Sequence, residues 1–279
     1  MSISGDTTEI LGIKISTLTL AKTEQAFFDF MKEGGKSLLA TPNVEFIMKA
    51  QKDKGFKKIL NEKSRLNLPD GFGMLWAARF LSLSAPGSAG IKQIIILLQW
   101  LGSIILIPFA PGFFKKPIPE KISGADFVWN IAKIAAKNKY RIFLLGGAPT
   151  VAERAALKLQ TDIIDLRIAG VHSGTPEQSR EIVEAVNRSK ADILLVAFGA
   201  PKQEKWLAQY LDRTCAKVGI GVGGTFNFIA GTKQRAPKWM RESGLEWFHR
   251  LIIEPSRIRR QLAIPKFMWL VLLDKVRRK

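Results

Sequence analysis

The sequence predicts a doubly wound α/β fold built on a mostly parallel sheet, and three observations predict it. Short apolar runs alternate with helix-like stretches of about ten residues or more. Several of those runs stop at Gly or Pro clusters. Polar residues able to do chemistry sit just past the stops. Right-handed crossovers would bring these loops to one edge of the sheet. In open α/β sheets, ligands bind in the crevice outside the carboxyl ends of the strands. The polar loops therefore point at one site.

The elements follow in order. A short β element over 10–15 precedes a helix over 22–31. The apolar run Leu38-Leu39-Ala40 makes 37–40 a strand; it stops at Thr41-Pro42-Asn43, which opens a helix over 43–53. Leu66-Asn67-Leu68-Pro69 makes 65–68 a strand that stops at Asp70-Gly71 before a helix over 72–81. A helix is expected over 124–137. The strand 141–145 runs into Gly146-Gly147-Ala148-Pro149, and a helix follows. A strand over 166–171 and a helix over 176–187 come next. Ile193-Leu194-Leu195-Val196-Ala197 is the next strand, ending at Phe198-Gly199-Ala200-Pro201 before a helix over 201–211. The last strand, 218–222, enters Gly223-Gly224-Thr225.

Two segments break this rhythm. Residues 82–119 contain Ile94 to Phe114, 21 residues without a charge, flanked by Lys92 and by Lys115-Lys116. That length reaches the transmembrane range. A full span would put the two halves of one sheet on opposite sides of a bilayer, and Pro108, Pro111 and Gly112 interrupt it. An interfacial or re-entrant hairpin fits better; the alternatives are a buried helix or an oligomer contact. The second segment, from Gly231, reads as short helices separated by Pro237, Pro255 and Pro265. Its final helix mixes Phe267, Trp269 and Leu270 with Lys275, Arg277, Arg278 and Lys279, which suits either an anionic bilayer face or packing on the body with a basic end. The expected division is a body over 1–233, carrying the apolar insertion 82–119, and a basic helical appendage over 234–279.

The chain has 279 residues and a formal charge of +19. Residues 231–279 hold 13 Lys/Arg against 4 Asp/Glu, so this stretch carries +9 of it. Such a field favours an anionic partner: nucleic acid, an acidic membrane surface or a phosphate-bearing substrate. A single cysteine, Cys215, excludes an intramolecular disulfide. Two histidines and no Cys/His cluster argue against zinc. The polar, acidic start of the chain is not that of a signal peptide.

The candidate site residues follow from the strand ends. Glycines at 146, 147 and 223 let backbone approach a ligand and aim N–H groups at phosphate. Neither cluster is a dinucleotide fingerprint or a Walker loop. Asp70 is either a helix cap or a general base whose basicity rises with desolvation. Thr41 and Asn43 can hold a hydroxyl or a sugar; Asn43 can equally cap the helix after it.

The ordered set Thr41-Pro42-Asn43, Leu68-Pro69-Asp70-Gly71, Gly146-Gly147, Phe198 to Glu204, Gly221-Val222-Gly223, Arg235-Ala236-Pro237 and Gly244-Leu245-Glu246-Trp247, with Arg250, Glu254-Pro255, Arg257 and Arg260, resembles the WecG/TagA/CpsF family of bacterial glycosyltransferases. The resemblance covers about residues 10–264 apart from 82–119, where this chain departs from the family pattern. It implies a Rossmann-like, metal-independent, inverting transferase. Such an enzyme moves N-acetylmannosamine or its uronic acid from a UDP-sugar to a polyprenyl-diphosphate-linked acceptor at the cytoplasmic membrane face, in polysaccharide or teichoic acid synthesis. It makes Asp70 the base, with Thr41 and Asn43 beside it, and Lys202, Gln203 and Glu204 the nucleotide-sugar segment. Arg250, Arg257 and Arg260 become the diphosphate contacts, and Arg235 a further substrate-binding residue. No cofactor is implied, nucleic acid is not an expected partner, and a homo-oligomer is compatible with the apolar insertion. A basic nucleic-acid-binding protein and a non-catalytic sugar-nucleotide scaffold are the competing readings.

Overall fold

The computed structural model describes residues 6–278, apart from the side chain of Arg257. Two short strands, β1 (Thr7–Ile10) and β2 (Ile13–Ser16), pair antiparallel. Six more form one parallel sheet: β3 (Ser37–Ala40), β4 (Ser64–Asn67), β5 (Arg141–Gly146), β6 (Arg167–His172), β7 (Ile193–Ala197) and β8 (Val218–Gly221). Their order is β4-β3-β8-β7-β5-β6. The predicted doubly wound α/β architecture is therefore the observed one.

The four inner strands, β3, β8, β7 and β5, read as mostly apolar runs because both their faces are covered, while the edge strands β4 and β6 are partly exposed. Successive residues feed opposite cores. Leu38, Ala40, Leu194 and Val196 face one, with Phe46, Trp76 and Trp206. Leu39, Ile193, Leu195 and Ile220 face the other, with Phe27, Phe127, Ile131 and Phe226. The sheet is thus the partition between two helical layers.

Several expectations are revised. The single element at 10–15 is a hairpin whose turn places Leu11 and Gly12 at φ of 51° and 74°. Gly12 accommodates this freely, whereas Leu11 gave no turn signal. The helix predicted over 176–187 is a 3-10 turn, Pro176–Gln178, followed by a helix, Ser179–Ser189. Helical turns over Lys54–Lys58 and Ile59–Lys63 occupy a stretch with no predicted element.

The apolar segment 82–119 forms one helix, Ala89–Leu106, and a 3-10 turn, Pro111–Phe114, where an interfacial or re-entrant hairpin is expected. It is not a core helix, since only Ile96 and Ser103 within it are buried. The segment after Gly231 contains the helices Lys238–Glu242, Glu246–Ile253 and Ile258–Gln261, then a longer one, Ala263–Arg277. Pro265 does not separate helices; it sits in the first turn of the last one, where no intrahelical N–H is lost. That helix buries Phe267, Val271 and Leu272 in the first core. It also binds the segment 82–119, where Trp100 Nε1 donates to Met268 O at 3.1 Å and Lys275 Nζ donates to Gln99 Oε1 at 2.8 Å, and the helix Phe72–Ser82, where Lys275 Nζ donates to Phe80 O at 2.6 Å. The last helix packs on the body, and one of its terminal basic residues is buried.

Candidate active site

The strand order places the carboxyl ends of β4, β3, β8 and β7 side by side. The loops at these ends are tied to one another by short hydrogen bonds. Asp70 N donates to Pro42 O at 2.9 Å, joining the loops after β4 and β3. Thr41 Oγ1 donates to Gly221 O at 3.2 Å, joining β3 to β8. Gln203 Oε1 accepts from Gly199 N and from Gly223 N, both at 3.0 Å, joining the loops after β7 and β8. Gly71, at φ +90°, supplies the turn that starts the helix Phe72–Ser82 directly after Asp70.

Two cavities open between these loops and the C-terminal helices, and Asp70 lines both. The first, of about 400 Å³, is polar and lies over the strand ends; Thr41, Ser123, Lys202, Gly223, Lys233 and Arg235 are among its walls. The second, of about 200 Å³, is mostly apolar and is walled by Phe72, Trp76, Ile107, Trp247, Phe267 and Met268. Asn43, Glu45, Arg250 and Arg260 also belong to both, so the cavities meet at Asp70.

The electrostatics centre on that junction. Burial pushes the Asp70 carboxyl up to about 6, and the nearby Glu246 charge adds to the rise; Arg250, Lys121 and Arg235 oppose it. Glu246 itself is raised by burial, but Arg250, at 2.5 Å, and Lys121, at 4.0 Å, bring it below the ordinary carboxylate range. Burial lowers Lys121, whose Nζ also donates to Arg241 O at 2.5 Å. A carboxylate poised near neutrality beside an adjustable ion pair is suited to accepting a proton.

The predicted residues separate into three groups. Thr41, Asn43, Asp70, Lys202, Gln203, Gly223, Arg235, Arg250 and Arg260 line the joined cavities. Within this group Asn43 is also a helix cap, its Oδ1 accepting from Phe46 N at 3.1 Å. Arg235 is held in a two-pronged pair with Asp126, at 2.6 and 3.0 Å. Among the described residues, Arg260 and Lys202 have no ion-pair partner. Glu204, Gly146 and Gly147 fall outside the cavity walls. Glu204 is fully buried under the β8 loop, where Gln203 Nε2 donates to its Oε1 at 2.6 Å. Gly146 ends β5, one strand further along, and a Cβ there would meet Phe198 Cδ1 at 2.8 Å. These glycines permit close packing at the rim rather than contact with the cleft. The Arg257 side chain lies outside the described residues. Sequence reasoning missed Lys121, Glu246 and Glu45. Leu245-Glu246-Trp247 belongs to the ordered motif set, but nothing local in it marks the Glu246 carboxylate as a neighbour of Asp70.

Fold and site together define an α/β enzyme with a two-chambered cleft and a carboxylate where the chambers meet. The model of the "Glycosyl transferase WecG/TagA/CpsF family" matches residues 8–105 and 102–279. The chain belongs to this family and is a glycosyltransferase. It is similar to "N-acetylglucosaminyldiphosphoundecaprenol N-acetyl-beta-D-mannosaminyltransferase" of Bacillus subtilis (strain 168), with 29% identity over 87% of this chain and 82% of the relative. The protein of the same name from Staphylococcus aureus (strain MRSA252) is 26% identical over 94% of this chain and 90% of the relative.

Proposed function

We propose that the protein transfers N-acetylmannosamine, or a closely related hexosamine, from a UDP-sugar to a sugar carried on polyprenyl diphosphate, with inversion and without a metal. The observation that carries this reading is the pairing of a polar, cation-walled cavity with an apolar one, joined at Asp70. A nucleotide-sugar matches the first and a lipid-linked sugar the second. The relatives' name joins the same two partners, an N-acetylglucosaminyl-diphospho-lipid acceptor and an N-acetylmannosaminyl group.

In this reading the acceptor hydroxyl lies against Asp70. Its oxygen attacks the anomeric carbon from the face opposite UDP. The new C–O bond forms as the bond to the β-phosphate oxygen breaks, and the hydroxyl proton passes to the Asp70 carboxylate. Holding both substrates across one junction supplies the orientation that a single in-line displacement needs. Negative charge grows on the departing diphosphate, where Lys202, Arg260 and Lys233 can meet it; arginine can do so in bidentate fashion. Arg250 is partly neutralised by Glu246 at 2.5 Å, so an incoming phosphate would compete for it. The acceptor's lipid places the enzyme at a membrane, and a UDP-sugar pool places it on the cytoplasmic face.

The test is turnover of UDP-N-acetylmannosamine with a short-chain diphosphate-linked N-acetylglucosamine, read by mass spectrometry with and without EDTA. A disaccharide-lipid product formed equally in both is expected. A dependence on added divalent metal would overturn the metal-free mechanism, and absence of product across a panel of UDP-sugars would overturn the donor class.

A further inference from the structure

We propose that the insertion helix, Ala89–Leu106, is a membrane-docking element that lies flat in the surface of an anionic bilayer and sets the apolar cavity at its edge. The proposal concerns how the acceptor site of the reading above meets its lipid, and so rests on that reading for its purpose but not for its test.

The helix has two unlike apolar faces. Ile96, Trp100, Ser103 and Ile107 recur at the helical period and turn inward; Ile96 is 1% exposed and Ser103 3%. Ser103 Oγ there accepts from Trp76 Nε1 at 3.0 Å. The other face carries Ile91, Ile94, Leu98, Leu101 and Ile105, spaced three and four apart. These are 46% to 66% exposed. A helix on a soluble surface normally puts charge on that face. Here a row of branched aliphatics runs along about 21 Å of helix, at 1.5 Å per residue, and Phe109 beyond it is 80% exposed. Scattered apolar residues on a surface need no explanation, but a contiguous row does.

Charge decides between a bilayer and a second copy of this chain. From Gly71 to Pro119 there is no Asp or Glu, while Lys92 lies at the start of the row and Lys115 and Lys116 follow it. Two such faces brought together in a molecule of +19 would also bring their lysines together. An anionic lipid surface attracts the same lysines and accepts the aliphatics.

Geometry decides between lying flat and spanning. The inner face is anchored at Trp100 to Met268 and at Gln99 to Lys275, so the helix cannot leave the body and stand across a bilayer without breaking these bonds. The end of the helix leads to the cavity. Ile107, one residue past it, lines the apolar chamber together with Trp247 of the C-terminal segment, which is itself 41% exposed. A lipid chain in the bilayer beneath the insertion would thus have an apolar route to Asp70.

The test uses the full chain and flotation with phosphatidylcholine vesicles, with and without phosphatidylglycerol. The wild type is expected to float with the anionic vesicles, and Ile94→Glu/Leu98→Glu/Ile105→Glu to lose at least about tenfold of that binding, as an interfacial apolar face requires. None of the three residues lines either cavity. An unchanged far-ultraviolet spectrum and melting temperature would establish that the triple variant is folded. As a second measurement, Leu98→Cys in a Cys215→Ser background carries an environment-sensitive dye, and its emission should shift to the blue on adding anionic vesicles. Wild-type protein that does not float overturns the proposal. So does undiminished flotation of the folded triple variant with an unshifted dye, which assigns docking to the C-terminal segment. A wild-type dimer in solution that the triple variant dissociates, with vesicle binding unaltered, assigns the face to a second copy instead. None of these readouts requires turnover, so a failure of the proposed reaction leaves them interpretable.

Discussion

Gln203 and Glu204, neighbours in the chain and both fully buried, share a 2.6 Å hydrogen bond from the Gln203 amide to the Glu204 carboxylate. That bond fixes which way round the amide lies. Gln203 Oε1 is thereby turned to the Gly199 and Gly223 amides, and the two loops bounding the polar cavity are held together. Glu204 is therefore a positioning residue. Glu204→Ala should loosen both loops, raise the donor KM and cost about 1–3 kcal/mol of stability, the usual consequence of stranding a buried partner. Donor titration and chemical denaturation measure the two effects.

Glu204→Gln should behave differently. Burial pushes Glu204 up to about 7, well above its unfolded value, and leaves Oε2 without a partner. A carboxyl raised on folding binds its proton more tightly in the native state, so native stability falls as pH rises from about 4.5 through 7. The glutamine variant keeps the acceptor for Gln203 and escapes that loss. It should equal the wild type near pH 4.5 and exceed it at pH 8, with the donor KM unchanged. Melting curves at the two pH values check this.

Asp70→Asn should lower turnover by about 10²–10⁴-fold, the range for losing a general base, while donor binding persists. Wild-type kcat/KM should rise with pH along a limb centred at about 6, where the Asp70 carboxyl ionises. The same raised value makes ionised Asp70 a burden on the fold above pH 6. The inactive variant should thus melt higher than the wild type at pH 8, which separates lost chemistry from lost structure. Wild-type activity in Asp70→Asn would remove Asp70 from the mechanism.

That limb should move when the ion pair beside it is edited. Glu246 raises Asp70 and Arg250 lowers it. Glu246→Gln should shift the limb to lower pH, and Arg250→Ala, which leaves Glu246 without its 2.5 Å partner, should shift it higher. Opposite shifts in the pH profile test the assignment, and two variants with unmoved limbs would sink it.

Arg260 and Arg235 face the polar cavity with different commitments. Arg235 is engaged by Asp126, so Arg235→Ala should lower stability as well as substrate affinity. Among the described residues Arg260 has no ion-pair partner, and Arg260→Ala should weaken substrate binding while leaving the melting temperature in place. KM values and thermal unfolding together distinguish the two.

The sheet is legible because its inner strands are buried on both faces and therefore appear as mostly apolar runs ended by Gly or Pro. Thr41, Asn43 and Asp70 were legible for the same reason, each standing directly after such a run. Glu246 and Lys121 were not. They reach Asp70 from a C-terminal helix and from a loop ahead of the helix Gly124–Asn138, and only tertiary packing brings them there. The resemblance puts Glu204 with Lys202 and Gln203 in the nucleotide-sugar segment, yet one further step along a helix turns its side chain from the cleft into the protein. The β1–β2 hairpin escaped notice because its turn places Leu11, an unusual occupant, at positive φ.

The bonds from Lys275 to Phe80 O and Gln99 have a practical side. With the Phe267 ring tilted against Trp76 at 6.2 Å between ring centres, they make the last helix a keystone instead of a detachable arm. Ending the chain at Leu262 would bare Trp76 and Phe80 and leave the Phe80 carbonyl without its lysine. Whoever prepares this enzyme in quantity should expect such a shortened form to clump, and should seek solubility by altering the outer row of the insertion helix.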